Sequence, residues 1–236
     1  MYGLVLAGGG GKGGYHIGVW RALRKMKIKI SAVTGTSIGS LNGALVAQND
    51  YKSAVKLWSN ISFDQVLNLD ENAYHALLEL NKKITPTGLV TAFKNSEEVL
   101  AKGGLDVTPL KSMITKYLNE KELRNSSIAY GLVTISLTDR KPLELFTEDI
   151  PEGKLVDYLL ASSFLPGFMP MELDGKHFLD GGFYDNLPIN LMLKKNVDKI
   201  IAVDLKSMGR KKNVKSTSIE VIQITPSGDI AKLLEF

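Results

Sequence analysis

The chain has 236 residues, 44% hydrophobic and 23% charged, an ordinary balance for one globular α/β domain with a large core. It has no cysteine, and its three histidines, His16, His75 and His177, are far apart, so a disulfide framework, a thiolate zinc site and clustered histidine metal ligands are all excluded. Net charge is +4, with six cations from Lys12 to Lys29 ahead of the first acid, Asp50. Such a cluster complements a helix end or draws the chain to an anionic membrane surface. No recognised motif or stacking aromatics accompany it to argue for nucleic acid.

Tyr2–Ala7 reads as a buried strand and lacks the basic flank of a signal peptide, which fits a cytoplasmic protein whose contact with membrane is peripheral. No apolar run reaches the ~20 residues of a membrane span. A glycine run, Gly8 to Gly14, follows, and Tyr15–Met26 has helical spacing. Ile28–Thr34 is a second strand and Ile38–Gln48 a second helix, so right-handed crossovers and a parallel sheet are expected. From Asp50 to about Glu122 the pattern is mostly helical, broken at Thr85-Pro86-Thr87-Gly88 and Gly103-Gly104. Thr108 is placed to cap a helix with Pro109 at its first position. Ile128–Leu137 alternates as a strand, and Pro142–Phe146 is its hairpin partner at a sheet edge. Leu155–Ser163 is a helix, and Asp174-Gly175 is a hairpin turn. Lys199–Leu205 and Ile219–Thr225 read as late buried strands, joined by a basic, mobile surface loop, Lys206–Lys215.

Ser37 stands in Gly35-Thr36-Ser37-Ile38-Gly39, between a strand and a small-residue helix. Serine at the centre of G-x-S-x-G on such a turn is a nucleophile elbow, with a helix N-terminus aimed at the hydroxyl. A plain turn with Ser37 as helix cap is the alternative. The glycine run has three readings. A phosphate-binding loop needs glycine six positions before Lys12 and Ser or Thr after it, but Leu6 and Gly13 stand there. A dinucleotide fingerprint fits Gly8, Gly10 and Gly13 but lacks the acid about 20 residues on. A nest of backbone N–H groups for a developing oxyanion remains. Both turns fall at the carboxyl edge of a parallel sheet, which brings nucleophile and nest together. No histidine is well placed as base: His16 is in the first helix, His75 in the helical insert, and His177 points away from Asp180. Asp180 ends a short apolar strand before Gly181-Gly182, and partial burial would let its carboxylate take the serine proton directly.

These residues resemble the patatin-like phospholipase family, whose ordered motifs G-G-G-x-[KR]-G, G-x-S-x-G and D-G-[GA] match Gly8–Gly13, Gly35–Gly39 and Asp180–Gly182. Ala161-Ser162-Ser163 with Pro166, and Asn186-Leu187-Pro188, are similar to the family too, and the likeness runs from about Gly3 to Thr225. The resemblance implies a three-layer α/β/α sandwich with a mainly parallel sheet, in one domain over 1–236 with a helical insert at about 50–122. It implies a Ser37–Asp180 dyad with no metal and no cofactor. Backbone N–H groups of Gly9, Gly10 and Gly11 would be the oxyanion donors. Gly8, Lys12, Gly13, Gly35, Gly39, Gly181 and Gly182 would support the motifs, Lys12 standing where the family often has arginine. A lipid ester is the expected substrate. The insert and the loop Phe164–Met171 are expected to shape an apolar acyl site. A lipid-binding regulatory module and an acyltransferase stay open as alternatives.

Overall fold

The computed structural model describes residues 1–68 and 104–230. His75, the Thr85–Gly88 break and most of the expected helical insert lie outside the described residues. Strand β1 (Tyr2–Leu6), helix α1 (Gly14–Lys25), strand β2 (Ile30–Thr36) and helix α2 (Ile38–Ala47) come first, followed by α3 (Tyr51–Asn60). From Gly104 on come α4 (Thr108–Tyr117), α5 (Glu120–Arg124), β3 (Ala129–Ser136), β4 (Lys141–Phe146) and α6 (Leu155–Ser162). The chain continues through β5 (Phe178–Asp180), α7 (Ile189–Met192), β6 (Lys199–Val203) and β7 (Glu220–Ile224).

The strands lie in the order β4-β3-β2-β1-β6-β7, and β5 also pairs with β3. Contacts from β3 through β7 along this path are parallel, and β4 and β5 join β3 antiparallel. The central strands β1 and β6 are apolar and almost wholly buried, as parallel strands covered on both faces must be. Alternation along β2 assigns the layers. Val33 faces α2, where a side chain on Gly43 would touch it at 3.1 Å. Thr34 and Thr36 face the other way and donate their hydroxyls to the carbonyls of Pro188 and Asp185. The result is the expected three-layer, mainly parallel α/β arrangement. Among the described residues no helix is long and apolar enough to cross a membrane.

Four local expectations change. Strand β2 starts at Ile30 rather than Ile28, because the Ile28 N–H closes the end of α1 on the Leu23 carbonyl. Thr108 is the first residue of α4 rather than its cap, and the Asp106 carboxylate accepts from the Thr108 N–H at 2.9 Å instead. Strand β7 is a half-exposed edge, since only β6 covers it laterally. The segment Lys206–Lys215 is fastened to the body by backbone bonds, including Arg210 N–H to Gly182 O at 2.8 Å, so it is not a free surface loop.

Candidate active site

Ser37 sits at φ 55, ψ −129, a conformation costly for a side chain other than glycine's and typical of strained functional turns. The surroundings impose it. Gly39 lies so close to the carbonyls of Leu6 and Ala7, and Gly35 so close to Gly39, that neither position has room for a β-carbon. Ser37 occupies the cap position of α2, yet its side chain makes no capping bond, so the plain-cap reading fails and the hydroxyl is left for other work. The elbow backbone is held from both sides. Ser37 N–H donates to Ser162 Oγ at 3.0 Å, and Ser162 donates on to Val133 O at 2.7 Å. The Ser40 hydroxyl donates to Ser37 O at 2.6 Å.

Strand β3 brings Asp180 to this turn. Thr36, the last residue of β2, pairs with Val133; the next residue along β3, Thr134, pairs with Asp180. Strand β5 therefore takes the lane that β2 vacates when the chain turns away at Ser37. Gly181 presses against the Val133 carbonyl and within 3.1 Å of Thr36 Cγ2, measured from where a side chain would start, so the two chain ends meet at van der Waals distance. Asp180 is only 2% exposed. Its Oδ1 accepts from Gly182 N–H at 2.7 Å, and Oδ2 is buried without a hydrogen-bond partner. Burial pushes its pKa up to about 6, against the pull of the Ser37 hydroxyl and the Gly182 N–H, which favour the anion. The serine hydroxyl thus acts on the carboxylate without a fully formed bond, a looseness common in catalytic pairs without substrate.

The glycine run forms a single tight turn, Gly10–Gly13, leading into α1. Gly10 has φ 54, a value that suits glycine because it lacks a β-carbon. Gly8 is committed to structure: its N–H donates to Asn186 O, and its carbonyl accepts from Asn186 Nδ2. The N–H groups of Gly9, Gly10 and Gly11 have no backbone partner among the described residues, as at the start of any helical turn. Gly13 packs on Ile38 and Trp58. Lys12 reaches Asp229 at 3.3 Å and is mostly covered. Beneath the turn, Asn42 donates to Gly13 O at 2.9 Å and accepts from Trp58 Nε1 at 2.8 Å. Asn42 Nδ2 also lies 3.2 Å from His16 Nδ1. With Asn42 as donor, the His16 proton is on Nε2, which is buried without a partner. Burial lowers the His16 pKa to about 3, so the ring stays neutral. His177 is exposed at the surface end of β5.

Ser37 and Gly10 help to line an apolar cleft of about 50 Å³, walled by Leu41, Leu110, Met113, Leu165 and Phe168. Of the expected acyl-site loop Phe164–Met171, Leu165 and Phe168 line it. Phe164 packs edge-on against Phe168 within the core, and Met169 is 43% exposed. Sequence reasoning missed Asn42, although a lone buried-type amide in a helix of small apolar residues is a signal of a backbone to be held. Ser162 and Asn186 fall in stretches similar to the family, but nothing in their spacing names their roles.

A model of the patatin-like phospholipase family matches residues 4–193. Lysophospholipase NTE1 of Candida albicans is 31% identical over 87% of this chain and 13% of its own length. The human patatin-like phospholipase domain-containing protein 6 is 29% identical over 86% and 13%. The chain thus spans about 13% of the length of these curated relatives. The solved structure of VipD from Legionella pneumophila has a TM-score of 0.49 at 16% identity, covering 86% of this chain and 50% of VipD.

Proposed function

We propose, for a chain that belongs to the patatin-like phospholipase family, that it is a serine acyl hydrolase of lipid esters working through a Ser37–Asp180 dyad, with lysophospholipids, the substrates that the name of the relative NTE1 states, as the first to try. The observation that carries this reading is the β3 register, which sets Asp180 in the lane that ends at Ser37. Asp180 removes the Ser37 proton as Oγ attacks the ester carbonyl. The tetrahedral oxyanion is received by N–H groups of Gly9, Gly10 and Gly11, donors fixed before the charge develops. Collapse expels the alcohol, which takes the proton back from Asp180 and leaves acyl-Ser37. Water then attacks the acyl carbon, gives its proton to Asp180, and releases the fatty acid as that proton returns to Ser37. The acyl chain lies in the cleft walled by Leu110, Met113 and Phe168.

A fluorophosphonate probe tests the nucleophile. Labelling of wild type at Ser37, read by peptide mass spectrometry and absent in Ser37→Ala, is expected. Labelling elsewhere, or none in a folded wild type, would sink the assignment.

A further inference from the structure

Of the cluster near the N-terminus only Lys12 stands in the glycine turn at the catalytic edge, and it is largely covered and paired with Asp229. Helix α1 starts at the glycine turn and runs back, so Lys25, Lys27 and Lys29 stand near the start of β2. Seven residues of β2 put them roughly 20 Å from Ser37. Arg24 is occupied by the Trp20 and Tyr51 rings and by Asn49. The segment after β6 supplies the cations at the site. Lys206–Lys215 carries Lys206, Arg210, Lys211, Lys212 and Lys215 with no acid among them. Lys211 is paired with Asp204 at 2.6 Å and Lys212 with Glu144 at 3.2 Å. Lys206, Arg210 and Lys215 are exposed, and no acid pairs with them among the described residues. Val214, between them in the chain, is 44% exposed.

This segment is built onto the site. Arg210 N–H donates to Gly182 O at 2.8 Å, Asn186 N–H to Arg210 O at 2.6 Å, and Asn186 Nδ2 to Met208 O at 3.1 Å. Ser207 and Leu205 press on Gly9, where a side chain would start 2.5 Å from Ser207 Oγ, while the neighbouring Gly10 lines the apolar cleft. Lys206, between Leu205 and Ser207, therefore stands beside the glycine turn, and Arg210 beside the Gly182 turn that follows Asp180. Surface cations beside exposed apolar groups fit a sheet of anionic phosphates over an apolar layer.

We propose that Lys206–Lys215 is the surface on which this protein meets an anionic lipid bilayer, Lys206 and Arg210 sitting among headgroup phosphates while the cleft faces the acyl chains. This rests on the lipid-hydrolase reading above. The test is co-sedimentation of the purified chain with phosphatidylcholine vesicles, with and without phosphatidylglycerol, at low and high salt. Wild type should bind only the anionic vesicles and release with salt. Lys206→Glu with Arg210→Glu should weaken binding roughly tenfold or more, while Lys25→Glu with Lys27→Glu, an equal change in charge at the far edge, should stay within about twofold. Lys206→Glu with Lys215→Glu serves if the Arg210 change prevents folding. Equal loss in the far-edge variant, binding without anionic lipid, or no binding by wild type would overturn the proposal. Fluorophosphonate labelling of Ser37 needs no vesicle, so failure of the hydrolase reading would show there independently.

Discussion

Asp180 is sealed from water by the chain that brings it to Ser37, and its acidity follows. With the pKa raised from 3.8 to about 6 by burial, the carboxylate becomes anionic, and able to accept a proton, only above that pH. The kcat/KM profile on a soluble ester should therefore lose activity with unit slope below about pH 6. The stability effect has the opposite sense. A folded pKa above the unfolded one means the native state holds the proton more tightly. The charge is therefore a burden that is absent below pH 3.8 and complete above about 6, worth about 3 kcal/mol. Asp180→Asn should abolish turnover yet melt several degrees higher than wild type at neutral pH, with the gain vanishing in acid; calorimetry across pH checks it. His16 runs the other way. Its pKa falls from 6.5 to about 3, so its support is full above 6.5 and fades as pH drops toward 3. His177→Ala, at an exposed side chain, should keep its ester turnover; a loss as complete as that of Ser37→Ala would replace the dyad with a triad. Ser37 and the glycines were legible because spacing and order carry their signal. Ser162 was not, because one serine near a helix end has no spacing to read, and its role exists only where Val133 and Ser37 converge.

The strand–turn–helix units near the N-terminus came through from periodicity because each element's neighbours in the chain are also its neighbours in space. Where the covering element came from far away, the pattern misled: the apolar residues of β7 look core-like, yet the strand closes one edge of the sheet. Lys206–Lys215 looked detached because the ties that hold it to the site include backbone bonds to Gly182 and Asn186, which leave no trace in side-chain polarity, and because the acids that pair Lys211 and Lys212 lie outside the segment. Two glycine substitutions separate the roles of α1 and α2. Gly18 is exposed on α1 with nothing within 4 Å of a would-be side chain. Gly18→Ala should stabilise by about 0.5–1 kcal/mol through helix propensity, raising Tm by roughly 1–4 °C. Gly39→Ala sets a β-carbon against the backbone of β1, which cannot move aside as a side chain can. Lowered Tm and lost labelling of Ser37 are expected together.

At the scale of the whole molecule the site is a product of sheet topology. The fold class and the carboxyl-edge placement of the two turns follow from an alternating βαβα start. The passage of β5 into the lane of β2 does not, because antiparallel pairing between residues some 45 positions apart has no local signature. Charge geography is another such property: the N-terminal cations are prominent in the sequence, and the fold carries most of them to the edge opposite Ser37. The dyad is tested most directly by fatty-acid release from a lysophospholipid, measured by mass spectrometry for wild type, Ser37→Ala and Asp180→Asn, each shown folded. Wild type should release fatty acid, and each variant should lose about 10²-fold or more, as expected for removal of a nucleophile or its base. Near-wild-type release by folded Asp180→Asn would rule out Asp180 as the base.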